Sequence, residues 1–133
     1  MSATATPYGF KPVNEIGGLP YAGSTRQIKI ASGYAANIYY GSVVSIVAAG
    51  TIEIVTTNGD NSTPFPAGTI GVFVGCTYTN PTTKQLTFAQ YFPSGTVASD
   101  AMAYIVDDYN TLFQVQCAGS LAQTTLGANA KLN

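Results

Sequence analysis

Ile70-Gly71-Val72-Phe73-Val74-Gly75-Cys76-Thr77-Tyr78 is the stretch that decides how this chain is read. Ile70, Val72, Val74, Cys76 and Tyr78 recur at every second position, the period of a strand with one face in a core. Gly71, Phe73, Gly75 and Thr77 stand between them, so the other face carries two glycines that let a neighbouring chain approach around Phe73. Downstream, Asn80-Pro81-Thr82-Thr83-Lys84 supplies turn chemistry, and Leu86 to Phe92 reads as the returning strand of a hairpin. Pro93-Ser94-Gly95 stops it. A second hairpin is expected from Ala103 to Val106 and Leu112 to Cys117, joined by the polar turn Asp107-Asp108-Tyr109-Asn110-Thr111.

Upstream the same punctuation continues. Thr25 to Ile30 alternates, with Arg26, Ile28 and Ile30 against Thr25, Gln27 and Lys29, as a short half-buried strand does. Ile38 to Ala48 and Thr51 to Thr57 read as two strands meeting at a hairpin or corner at Ala49-Gly50, and Asn58 to Gly68 is a loop. Ser94 to Met102 is another loop, with room for one helical turn at Ser99-Asp100-Ala101-Met102. Some seven short strands without an amphipathic helix predict an all-β fold, a small β-sandwich or β-barrel, over residues 25–133 as a single domain.

Residues 1–24 are expected to form an extended N-terminal arm. Pro7, Pro12 and Pro20 with Gly9, Gly17, Gly18 and Gly23 forbid a long helix and interrupt any strand. Tyr8, Phe10, Val13, Ile16, Leu19 and Tyr21 are nevertheless spaced along it, which a disordered tail would lack, so the arm should dock either on its own domain or on a neighbouring subunit. The tail after Cys117 has weak periodicity, and the sheet is expected either to pair with another chain or to continue in a longer sequence.

Only 8% of the 133 residues are charged, against about 25% in an average soluble protein. A surface so poor in charge points to burial against protein partners, the alternative being a neutral monomer rich in hydroxyls. Five scattered cations, Lys11, Arg26, Lys29, Lys84 and Lys131, make no basic patch, so nucleic acid is not an expected partner. No run approaches the roughly 20 apolar residues of a membrane helix, and Met1 to Pro7 is not a secretory signal.

Histidine is absent, which removes the commonest general base and the usual partner of a Ser or Cys nucleophile. Of the carboxylates Glu15, Glu53, Asp60, Asp100, Asp107 and Asp108, only Asp107-Asp108 cluster, and neighbours on a strand point to opposite faces. Turn capping is the reading for them. Asn58-Gly59-Asp60-Asn61-Ser62 offers oxygens but not the D-x-D-x-D-G order of a calcium loop. Gly71 to Gly75 is strand packing rather than a phosphate grip. Cys76 and Cys117 fall on inward positions of the proposed strands, as two buried free thiols or, less readily in a reducing compartment, a disulfide. Two Cys without His make none of the usual zinc sites, so no metal, cofactor or catalytic residue is expected.

Two passages carry a family resemblance. The first is Gly71-Val72-Phe73-Val74-Gly75-Cys76-Thr77-Tyr78, running through Pro81-Thr82-Thr83-Lys84 to Gln90-Tyr91-Phe92-Pro93. The second is Ala103-Tyr104-Ile105-Val106-Asp107-Asp108 with Phe113-Gln114-Val115-Gln116, and Pro7-Tyr8-Gly9-Phe10-Lys11-Pro12-Val13 with Gly18 adds a weaker match. They resemble the head decoration, or cement, proteins of tailed bacteriophages, particularly those of marine bacteria.

The resemblance implies a β-rich virion protein on the outer capsid surface, commonly a homotrimer, that ties neighbouring capsomers of the major capsid protein together against internal DNA pressure. Under it, Tyr8, Phe10, Val13 and Ile16 are the expected partner-binding anchors of the arm, and the core rests on Ile70, Val72, Val74, Phe88, Val106, Phe113 and Val115. The competing expectation is a carbohydrate- or receptor-binding β-domain of a phage tail or fibre, using exposed Tyr and Asn in a groove.

Overall fold

The computed structural model describes residues 8–56, 66–117 and 119–128. Eight strands follow one another: β1 Lys11–Glu15, β2 Arg26–Lys29, β3 Val43–Ile46, β4 Ile52–Ile54, β5 Thr69–Thr79, β6 Leu86–Ala89, β7 Met102–Val106 and β8 Thr111–Gln114. The described residues hold no α-helix, only a 3-10 turn at Gln123–Thr125. All named pairings are antiparallel and form two sheets. The protein is therefore all-β, as its alternating sequence predicts.

The larger sheet runs β2-β7-β5-β3-β4, with β6 also on β5. At 11 residues β5 is long enough to serve three partners. Residues 72–77 pair with β7, while on the opposite edge residues 69–72 pair with β3 and residues 76–79 with β6. The sheet also rolls far enough for Ile30, just past β2, to form a parallel bridge with Ile52 of β4. Its two outer strands thus meet. Inside lie Ile30, Ile38, Ile52, Phe73, Phe92 and Ile105, each with no exposed surface.

A bulge in β5 sets which side chains reach that core. Phe73 pairs with Ile105 and Gly75 with Tyr104, so Val74 is the extra residue that shifts the register. Such an insertion moves every later side chain to the other face. Phe73 before it, and Cys76 and Tyr78 after it, consequently belong to one core together with Ile105 and Ala103 of β7. The strict alternation expected through Ile70, Val72, Val74, Cys76 and Tyr78 therefore holds only for the second half. Val72 and Val106, which pair across the two strands, are buried outside that cluster. Gly71 is where neighbouring backbone comes close, since a Cβ there would lie 2.2 Å from the Val106 carbonyl oxygen.

Several expectations are corrected. The β5–β6 hairpin and the turn at Ala49-Gly50 form, the latter with Gly50 at φ +77° joining β3 to β4. The second hairpin does not. Instead β7 pairs with β2 and β5, while β8 leaves that sheet and pairs with β1. Asp107 and Asp108 act at the point of departure, Asp107 accepting an ion pair from Arg26 at 2.9 Å and Asp108 accepting the Asn110 N–H at 3.0 Å. β8 ends at Gln114, so Val115 and Cys117 lie beyond it and are exposed, whereas Cys76 is buried. Both thiols are free. Phe88 is 71% exposed because β6 pairs on β5 with Ala89, not Phe88, opposite the core residue Cys76. Ser99 and Asp100 make a turn rather than a helical turn, and β7 starts at Met102.

Candidate functional site

The four expected arm anchors fall on or beside one structural unit, the ribbon made by β1 and β8. Despite Pro12, residues 11–15 are a strand, because β1 is an edge of a two-stranded ribbon and its ladder is interrupted directly after Pro12, at Val13. After β1 the chain turns sharply through Gly17 and Gly18, both at positive φ, and Asn14 bridges Pro20. The Ile16 N–H also donates to the Asn110 carbonyl at 2.7 Å. This part of the arm lies on its own chain.

Phe10 is the anchor that docks. Its ring meets Phe113 of β8 edge-on at 5.9 Å, and its N–H donates to the Gly41 carbonyl at 3.0 Å. Gly41 in turn donates to the Phe73 carbonyl at 2.8 Å, which ties the ribbon to the core strand. The crossing needs glycine on both sides. Gly9 and Gly41 each have positive φ, and a Cβ on either would come within 2.8 Å of backbone atoms of the other strand segment. Tyr8, Val13 and Ile16, by contrast, remain exposed, Ile16 at 60%. Leu19, Leu112 and Val115 add to the apolar surface of the same unit. The structure thus brings the arm residues together with the end of β8, which the sequence reading had placed in a different hairpin.

A second surface was missed altogether. Leu86 and Phe88 alternate along the edge strand β6 and are exposed. Beside them a shallow apolar groove of about 250 Å³ is lined by Gly75, Cys76, Phe88, Ala89, Gln90 and Tyr104. No charged residue lies between Lys84 and Asp100 to guard that edge. That absence of charge is the sequence signal that would have found it. Tyr39 and Tyr91 face one another across a bridge between Ile38 and Phe92.

The titratable groups are spread out. Asp100 accepts hydrogen bonds from the Thr79 hydroxyl at 2.6 Å and the Thr79 N–H at 3.1 Å, which hold its carboxyl below the usual range. Burial pushes the Cys76 thiol up to about 11, and that thiol donates to the Tyr91 carbonyl at 3.4 Å. Among the described residues no three His, Cys, Asp or Glu side chains gather where a metal ion would sit. Asp60 and the Asn58 to Ser62 oxygens lie outside the described residues. Of the described carboxylates, Asp100 and Asp108 accept from backbone N–H groups and Asp107 pairs with Arg26.

Comparison with protein-family models, with curated proteins and with solved structures gave no match.

Proposed function

We propose that this chain is a structural virion protein that decorates the outer surface of a tailed phage head and cements neighbouring capsomers of the major capsid protein. In this reading it is made in the host cytoplasm, assembles with copies of itself as a homotrimer, and needs neither nucleic acid, membrane nor cofactor. No reaction is assigned to it.

The observation that carries the reading is the apolar surface of the β1–β8 ribbon. Tyr8, Val13, Ile16, Leu19, Leu112 and Val115 stay exposed on a unit that is tied to the body at Gly41. Exposed apolar side chains concentrated on one unit of a folded domain favour a protein contact there. Full burial of such a side chain is worth roughly 1.5–3 kcal/mol, and these are already about half covered, so each contact adds roughly 1 kcal/mol. On a lattice of repeated sites these modest contacts act together, so one held subunit makes the next contact nearly intramolecular. The resemblance of residues 71–93 and 103–116 to head decoration proteins supplies the location.

The test is to quantify and locate the chain on purified virus particles by mass spectrometry and cryo-electron microscopy. Many copies on the outer head, with the ribbon against capsid protein or a neighbouring copy, is the expected result. A few copies at the tail would favour a carbohydrate- or receptor-binding tail domain, and absence from every particle would end both readings.

A further inference from the structure

We propose that the Tyr39–Tyr91 pair, with Asn37 at its rim, is a binding site for neutral glycans. The inference stands apart from the shell reading, because it concerns a different surface and holds wherever on a particle the chain resides.

The geometry begins with two buried neighbours. Ile38 and Phe92 have no exposed surface and exchange two backbone hydrogen bonds, 3.1 and 2.8 Å. Adjacent residues on extended chain project to opposite faces. Tyr39 and Tyr91 are therefore turned outward as a cross-strand pair, 55% and 48% exposed. Their rings are 19° from parallel with centroids 6.1 Å apart, too far for full overlap, so ring surface is left open to solvent. The platform is held from behind, since Phe92 packs edge-on against Tyr78 and the Tyr91 carbonyl accepts the Cys76 thiol.

The rim is equally fixed. The Asn37 Oδ1 accepts the Ser94 N–H at 2.7 Å, which orients the amide, and its Nδ2 donates to the Tyr39 hydroxyl at 3.1 Å. With that oxygen acting as acceptor, the Tyr39 O–H is turned toward giving its own proton outward. A pyranose ring offers what this arrangement takes. One of its faces is lined with C–H groups that pack on the electron-rich face of an aromatic ring, and its edge carries hydroxyls that accept and donate.

Charge selects the class of sugar. The sequence has no charged residue between Lys29 and Glu53 or between Lys84 and Asp100, the two segments that build the site. Neither segment supplies a cation to meet a phosphate or acidic sugar, whose desolvation would then go uncompensated by them. A protein partner of ordinary affinity would need about 800 Å² from each side, whereas two rings and one amide match a sugar residue or two.

The experiment is a nuclear magnetic resonance titration of the full chain with maltohexaose, cellohexaose and chitohexaose. Saturable shifts of the Tyr39 and Tyr91 ring signals and the Asn37 side-chain amide are expected with at least one of them. Tyr91→Ala should weaken that binding roughly tenfold, the upper end of what one aromatic contact supplies, while leaving the β5 backbone signals in place. Tyr109→Ala, at a fully exposed tyrosine elsewhere, should not change it. No shift with any of the three sugars, or equal shifts at Tyr109, would overturn the assignment. Ring shifts that follow protein concentration alone would make the pair a contact between copies and overturn it as well.

Discussion

In the six-stranded sheet Phe73, Ile105, Ile30 and Ile52 are wholly enclosed, whereas in the β1–β8 ribbon Val13, Ile16, Leu112 and Val115 stay exposed. Both regions are strand-paired and both carry β-branched and aromatic residues. They differ in closure. The larger sheet rolls until Ile30 meets Ile52 and makes its own interior, while a two-stranded ribbon has no second layer of its own and is marginal without support. Its support is the Phe10–Phe113 contact and the glycine crossing at Gly9 and Gly41. The body thus has a closed interior of its own, with Leu86 and Phe88 exposed on its β6 edge, whereas the ribbon has no interior and exposes apolar side chains on a unit held at its crossing.

The sharpest way to break this contrast is inside the body. Phe73→Ala should cost about 3–5 kcal/mol in urea unfolding, as the loss of a fully buried aromatic does. Val74→Ala, at the half-buried bulge position, should cost less than about 1.5 kcal/mol. Similar losses for the two would mean that β5 does not switch its core face there. A smaller effect is expected at the crossing. Gly41→Ala places a Cβ 2.8 Å from the Phe10 nitrogen at a backbone φ of +84°, and should lower stability by about 1–3 kcal/mol. Chymotrypsin should then cut after Tyr8 or Phe10 while the body survives. Unchanged resistance there would show that the ribbon is held by something else.

Thiol chemistry sharpens the same comparison without altering the fold. Cys117 is exposed and should react promptly with an aromatic disulfide reagent, one equivalent per chain. Cys76 is buried, with its thiol pushed up to about 11, so at neutral pH it is a protonated, shielded group that should react only on unfolding. Two equivalents released at once by the native chain would contradict the enclosure of β5. The smallest effect is expected at Asp100. Its folded-state pKa is lowered by Thr79, so it adds stability above its usual carboxylate range that is lost as pH falls through the folded value. Asp100→Asn should therefore lower the melting temperature slightly at pH 7 and not at all in strong acid, and a pH-independent difference would assign the effect to something other than the carboxylate charge.

How far the sequence revealed this depends on whether a feature is local. The strand over residues 70–78, the turn residues at Asn80 to Lys84 and the Gly50 corner lie within a few residues of what determines them, and all three appear in the structure, although the alternation itself holds only past Val74. The bulge at Val74 is a one-residue event fixed by packing Phe73 against Ile105, which no local pattern announces. Asp107 to Thr111 looks like a hairpin turn, yet it sends β8 to a strand almost a hundred residues earlier in the chain. Of the arm anchors, Phe10 packs on Phe113 of its own chain, a partner that its spacing in the arm does not name. That Tyr8, Val13 and Ile16 would gather with Leu112 and Val115 depended on that same long-range pairing.

Native-state hydrogen exchange on the free, full-length chain tests the division between body and ribbon most directly. The account predicts that amides in β5 and β7 open only with global unfolding, while those in β1 and β8 open at clearly lower free energy, and that the latter become protected when the chain is bound to particles. Amides of β1 and β8 as protected as those of β5 in the free chain would contradict it, because the ribbon would then be as complete as the body.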